Sequence, residues 1–187
     1  MTNLKTWTSV TVDAEDSALD FVKSSHDTNL LAMVSGGRVT IWGEESYKLD
    51  NYVSKCSCIE FSDDSKILAA GFEDGSIFVY KLPLQLNGEM TVEKVDLTSR
   101  DFFLPGGLNA IRCLAFNKDS SLLAYANDFG SVEVVSVTNQ SSVYLAFDCH
   151  RSKPLFLSFL REFNKSEKKE YLLSCSENGK IILHYPY

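Results

Sequence analysis

The chain has 187 residues, 44% hydrophobic and 23% charged, with 18 Lys plus Arg against 25 Asp plus Glu and a net charge of −7. A mildly acidic chain argues against a sequence-independent grip on nucleic acid, which needs a basic surface, and no apolar run reaches the ~18 residues of a membrane span. Met1-Thr2-Asn3-Leu4-Lys5 lacks the apolar core of a signal peptide, and five irregularly spaced cysteines suit a reducing compartment better than a disulfide framework. The expectation is an intracellular protein, cytoplasmic or nuclear, with neither a membrane nor nucleic acid as direct partner.

Taken in chain order, the apolar runs repeat. A first strand precedes the pattern at 5–12, through Trp7-Thr8-Ser9-Val10. Four runs then close on a phenylalanine: Ala18-Leu19-Asp20-Phe21, Cys58-Ile59-Glu60-Phe61, Cys113-Leu114-Ala115-Phe116 and Phe156-Leu157-Ser158-Phe159. Each is followed by a second apolar run and then by a glycine that opens a third, at Gly37, Gly75, Gly130 and Gly179. Phe61 to Gly75 and Phe116 to Gly130 are both 14 residues apart, and the outer two units carry longer first turns. Period-two alternation with β-branched and aromatic residues marks these runs as strands. Asp74-Gly75 and Asn178-Gly179 have the composition of two-residue hairpin turns. Ser62-Asp63-Asp64-Ser65 and Asn117-Lys118-Asp119-Ser120 supply side chains that cap a turn. A fourth, more polar strand is expected at 47–53, 91–96 and 142–147.

The units therefore span about 13–54, 55–97, 108–148 and 150–187. Four antiparallel strands in roughly 40 to 45 residues is the unit of a β-propeller blade. On the anchor, the Asp-Gly turn and the aromatic that closes the third strand (Phe61, Asp74, Gly75, Tyr80), the sequence resembles the WD-repeat family over nearly its whole length. Trp42 stands at the family's Trp position, and His150 lies nine residues before Phe159, where the family His belongs. The resemblance implies a blade-stiffening network of His, Ser or Thr, Asp and Trp. No unit holds all four: the last offers His150, Ser174 or Ser176, Asn178, and His184 in place of Trp. It implies an all-β propeller or partial propeller of about four blades. WD propellers usually have seven or eight. Three arrangements follow: a small ring closed by 5–12, two chains pairing into one ring, or part of a longer propeller.

The chemistry-bearing motifs are sparse. There is no phosphate loop, and Gly36-Gly37 and Gly106-Gly107 read as turns. Cys149 and His150 are neighbours on an extended chain and point to opposite sides. Cys56-Ser57-Cys58 places two thiols on one strand face without the further ligands a zinc site needs. Catalytic, cofactor and metal residues are therefore expected to be none, and a propeller enzyme or metal-binding domain is the weaker alternative. The pairs Asp63-Asp64 and Glu73-Asp74 read as a solvated rim, and 165–170 as a hairpin tip. Leu82-Pro83-Leu84-Gln85-Leu86-Asn87-Gly88 reads as a second extension whose proline discourages strand pairing. The strongest contact candidate is Arg100, Phe102, Phe103 and Leu104, because aromatics beside an Arg are the residue types of interface hot spots. The expected role is a scaffold that binds other proteins in a multiprotein complex, with a homodimer or completion by another chain as further possibilities.

Overall fold

The computed structural model describes residues 18–27, 29–43, 46–49, 53–86, 89–96, 109–161 and 170–185, with 46–47, 83–86, 89–96 and 161 described as backbone. These residues are all-β, without a helix. The fifteen strands form four antiparallel sheets in chain order. The first holds β1 (Leu19–Ser24), β2 (Leu31–Ser35), β3 (Arg38–Trp42) and β4 (Ser46–Lys48). The second holds β5 (Cys56–Phe61), β6 (Ile67–Phe72), β7 (Ile77–Leu86) and β8 (Glu89–Asp96). The third holds β9 (Ile111–Phe116), β10 (Leu122–Asn127), β11 (Val132–Ser136) and β12 (Ser141–Ala146). The fourth holds β13 (Pro154–Arg161), β14 (Glu170–Ser176) and β15 (Ile181–His184).

Packing follows the same order, one core between each pair of neighbours. Val34 and Ile41 of the first sheet meet Phe61, Leu68 and Phe78 of the second. Ala69, Ile77 and Val79 turn to the other side and meet Leu114, Leu123 and Tyr125 of the third. Ala124, Ala126 and Val134 then meet Leu157 and Leu172 of the fourth. The middle sheets thus bury both faces, which is why β6 and β10 read as nearly continuous apolar runs. The alanines let the sheets approach closely: a Cβ on Gly71 would lie 2.6 Å from Ile111 Cγ2 of the next sheet.

Four features depart from the sequence reading. The turns at Gly75 and Gly179, expected as two-residue hairpins, are three-residue loops, as is the turn at Gly130. In the first, Gly75 N–H donates to Phe72 O and Phe72 N–H to Ser76 O, and the glycine alone takes a positive φ, +88°. That is a turn followed by a left-handed glycine; among the described residues, the Gly36–Gly37 turn of the first sheet alone has two consecutive positive φ values. Second, 82–86 is not an unpaired extension. It prolongs β7 and pairs with β8, and Pro83 sits at the register shift between Lys81 and Leu84, where a strand tolerates a residue without an N–H. Third, a register shift between Cys56 and Cys58 breaks the alternation. Cys56 joins the core of the first two sheets and Cys58 packs against the core of the second and third, so the two thiols do not share a face. The fourth strand of the first unit is also short: β4 ends at Lys48, and Leu49 turns inward with its N–H on Val39 O.

Candidate functional site

The first strand of each sheet lies next to the first strand of its neighbour, and all four run toward the same end of the molecule. There they surround a cleft of about 370 Å3, lined by β1, β5, β9 and β13 and the turns that follow them. Phe61, Phe116, Phe156 and Phe159 form its apolar part, and Lys23, His26, Glu60, Asp63, Lys118 and Glu170 its charged and polar part. Three of these phenylalanines, Phe61, Phe116 and Phe159, are repeat anchors, so much of the cleft follows from the repeat.

Its electrostatics are partly self-compensated. Lys23 Nζ pairs with Glu60 across the first and second sheets. Burial pushes the Glu60 carboxyl above its ordinary value of 4.5, and Lys23 pulls it back. His26 Nδ1–H donates to Ser62 O at 3.2 Å, which leaves Nε2 facing Asp63 Oδ1 at 3.7 Å. Asn117 Nδ2 donates to Glu170 Oε2 at 3.1 Å, and Lys118 is exposed beside it. Turn chemistry holds these groups in place. Ser62 Oγ donates to Asp64 Oδ1 at 2.6 Å and accepts from Ile67 N, while Asn117 Oδ1 accepts from Leu122 N. The sequence reading took Asp63 as solvated rim and did not single out Lys23 or Glu60. Their meeting depends on the approach of two sheets, for which a single strand carries no signal.

At the opposite end lie the glycine turns and the chain leading into each next sheet. A Cβ on Gly130 would fall 1.8 Å from His150 O, and one on Gly75 3.1 Å from Asn109 O. Asp74 accepts from Ser76 N through Oδ1, and its own N–H donates to Ser54 Oγ. Asn178 repeats both contacts with Lys180 N and Ser152 Oγ. His150 Nε2 lies 2.7 Å from Ser174 Oγ, which lies 2.7 Å from His184 Nε2, and His184 Nδ1 is 2.9 Å from Tyr144 OH in the third sheet. Ser174, not Ser176, is therefore the hydroxyl of this chain; Ser176 donates to Asn178. Trp42 is half-buried at the end of β3, its Nε1 without a hydrogen-bond partner, and Tyr80 is buried in the first core. Arg100, Phe102, Phe103 and Leu104, and the strand expected at 5–12, lie outside the described residues.

Chemically, the site can dock charged and aromatic groups. Cys149 Sγ turns to Gly130 O while the His150 ring turns to Ser174, so thiol and imidazole do not meet. Burial pushes the Cys56 and Cys113 thiols up to about 12 and raises Cys58 and Cys149, the opposite of a poised thiolate. Among the described residues no three His, Cys, Asp or Glu are grouped to hold a metal.

A search of curated proteins finds no match to the chain. Among solved structures, the computationally designed Ika8 protein matches 93% of this chain with a TM-score of 0.65 at 19% identity. The chain spans 48% of that protein, about half its length, and the likeness is one of fold. The family described as WD domain, G-beta repeat matches residues 43–81, the stretch that holds β5, β6 and most of the residues behind the resemblance. Such repeats are in general the units of protein-interaction scaffolds and are typically non-enzymatic. Residues 43–81 thus bear out, for that stretch, the family resemblance read from Phe61, Asp74, Gly75 and Tyr80: the chain is similar there to the WD domain, G-beta repeat.

Proposed function

We propose that the chain is a non-enzymatic scaffold of the propeller type, which binds other proteins within a multiprotein complex in the cytoplasm or nucleus. The observation that carries this reading is the cleft. Four first strands converge on it and set exposed charges of both signs around phenylalanines, the polar rim and apolar floor of a peptide-binding surface. A second contact is the segment with Arg100, Phe102, Phe103 and Leu104. It lies in sequence between β8 and β9, outside the described residues, and its aromatics beside an Arg are the residue types of interface hot spots. Buried thiols with raised pKa and a net charge of −7 accord with a role that is neither catalytic nor nucleic-acid binding.

A peptide-display selection against the purified chain tests the proposal. Selected peptides are expected to bind about tenfold or more weakly to Asp63→Lys and to Lys118→Glu, with unchanged circular dichroism. Both positions are exposed, so the fold tolerates them. Peptides that bind both variants at full strength would remove the cleft as the contact. Loss confined to a variant with Arg100→Ser, Phe102→Ala and Phe103→Ala would move the contact to that segment.

A further inference from the structure

Each glycine turn of the first three sheets is covered by the chain leading into the next. A Cβ on Gly37 would meet Lys55, on Gly75 Asn109, and on Gly130 His150. Gly179 has the same left-handed backbone, φ +80°, yet among the described residues no atom lies within 4 Å of where its Cβ would be. Among the described residues, nothing packs on the outer face of the fourth sheet, whose Phe156, Ile181 and Leu183 are exposed. Register places Phe156 and Ile181 in one row with Cys175, Leu183 in a row with Ser158 and Leu173, and Leu160 beside Tyr171. Phe156 is 51% exposed and Ile181 66%. β15 is paired on one side only among the described residues. A contiguous apolar face beside an unpaired strand edge marks an interaction surface.

We propose that this face docks the first sheet of a second copy of the chain, and that two copies close head to tail into one ring of eight sheets. The other end of the same chain supplies the complement: Leu19 and Val22 of β1 face away from the first core and are 50% and 49% exposed. The curvature fits as well. The four sheets follow the path of 48% of the Ika8 chain over 93% of their own length, the bend of half a larger protein, not of a closed four-sheet ring. The cleft points the same way. Its walls run β1, β5, β9, β13, and on the far side of β13 the next wall would be β1 of the second copy, beside Phe156. Such a contact is heterologous, joining unlike patches, and closes when the rotation between copies completes a ring. It shares Phe156 with the cleft but not Asp63 or Lys118, whose substitutions test the peptide-binding reading, so the two can fail separately.

Light scattering coupled to gel filtration, across a wide concentration range, reads the outcome. The expected mass is twice the 20.9 kDa of one chain. Ile181→Glu with Leu183→Glu should return the mass to that of one chain, as should Leu19→Glu with Val22→Glu, since both ends are needed. All four side chains are exposed or partly so, and circular dichroism should be unchanged. Mixing the two variants should restore some dimer, because one intact pair of ends remains. A wild-type mass of one chain at every concentration overturns the proposal. So does a dimer broken by the Ile181 and Leu183 changes alone, which would be last sheet against last sheet. Aggregation without a defined dimer overturns it too, and would assign the covering sheet to a different chain.

Discussion

The backbone N–H of His150 donates to Gly130 O at 3.0 Å while its ring reaches Ser174, so one residue fixes a turn of the third sheet and the core of the fourth. The ring continues through Ser174 and His184 to Tyr144, back in the third sheet. The four groups thus tie two sheets together in a place otherwise held by Leu157 and Leu172. Burial holds both imidazoles below the ordinary value of 6.5; nearby Lys180 lowers His150 further, and His150 lowers His184. With the folded pKa below the unfolded one, the unfolded chain binds more protons as pH falls through 6.5. The stability from the neutral pair is therefore complete above about pH 6.5 and is lost below it, by up to about 1.4 kcal/mol per pH unit for each histidine. Urea midpoints taken between pH 8 and pH 5 should fall on the acid side, more steeply in the wild type than in His150→Gln with His184→Gln. Parallel profiles for the two proteins would show that the pair carries no linkage. Ser174→Ala, which leaves two buried ring nitrogens without their shared partner, should cost about 1–3 kcal/mol at neutral pH.

Between elements, the turn glycines set how closely one sheet follows another. Gly75 and Gly130 share a left-handed φ of +88° and +74°, so alanine at either position meets the same backbone strain, about 1–2 kcal/mol. They differ in surroundings. At Gly130 the added methyl would fall on the His150 carbonyl at 1.8 Å, whereas at Gly75 the nearest atom is Asn109 O at 3.1 Å. Gly130→Ala should thus cost about 4 kcal/mol or more, in the exceptional range for a single change, and Gly75→Ala markedly less. Equal losses in chemical denaturation would mean that the lead into the fourth sheet yields freely. The glycine positions themselves were legible, because each opens an alternating run at a fixed distance from a phenylalanine. Their geometry was not: Asp-Gly suggests two residues at positive φ, but Asp74 stays out of that region and the loop takes a third residue. The Cys56–Cys58 bulge and the pairing of 84–86 across Pro83 escaped for a related reason. Each is a register choice settled by the partner strand, and the strand's own sequence does not contain it. Lys23 and Glu60 needed one step more, the approach of separate sheets.

At the scale of the molecule, the three cores among the described residues each join one sheet to the next, so stability is in the main a chain of nearest-neighbour terms. The second and third sheets bury both faces, while β1 alternates exposed and half-buried residues and β15 keeps Ile181 and Leu183 in solvent. Local opening costs least where one face is already wet. In the monomeric Ile181→Glu, Leu183→Glu variant, amide exchange should then be slowest in β6 and β10 and faster in β13–β15, by about tenfold or more, equivalent to ~1.4 kcal/mol. In the wild type, a second copy laid over the fourth sheet should slow β13–β15 toward the middle strands as concentration rises, because binding adds to the stability of what it covers. Uniform exchange in the variant would make the four sheets a single cooperative unit. Exchange in β13–β15 that ignores concentration would leave the outer face of the fourth sheet uncovered, in agreement with a monomeric mass.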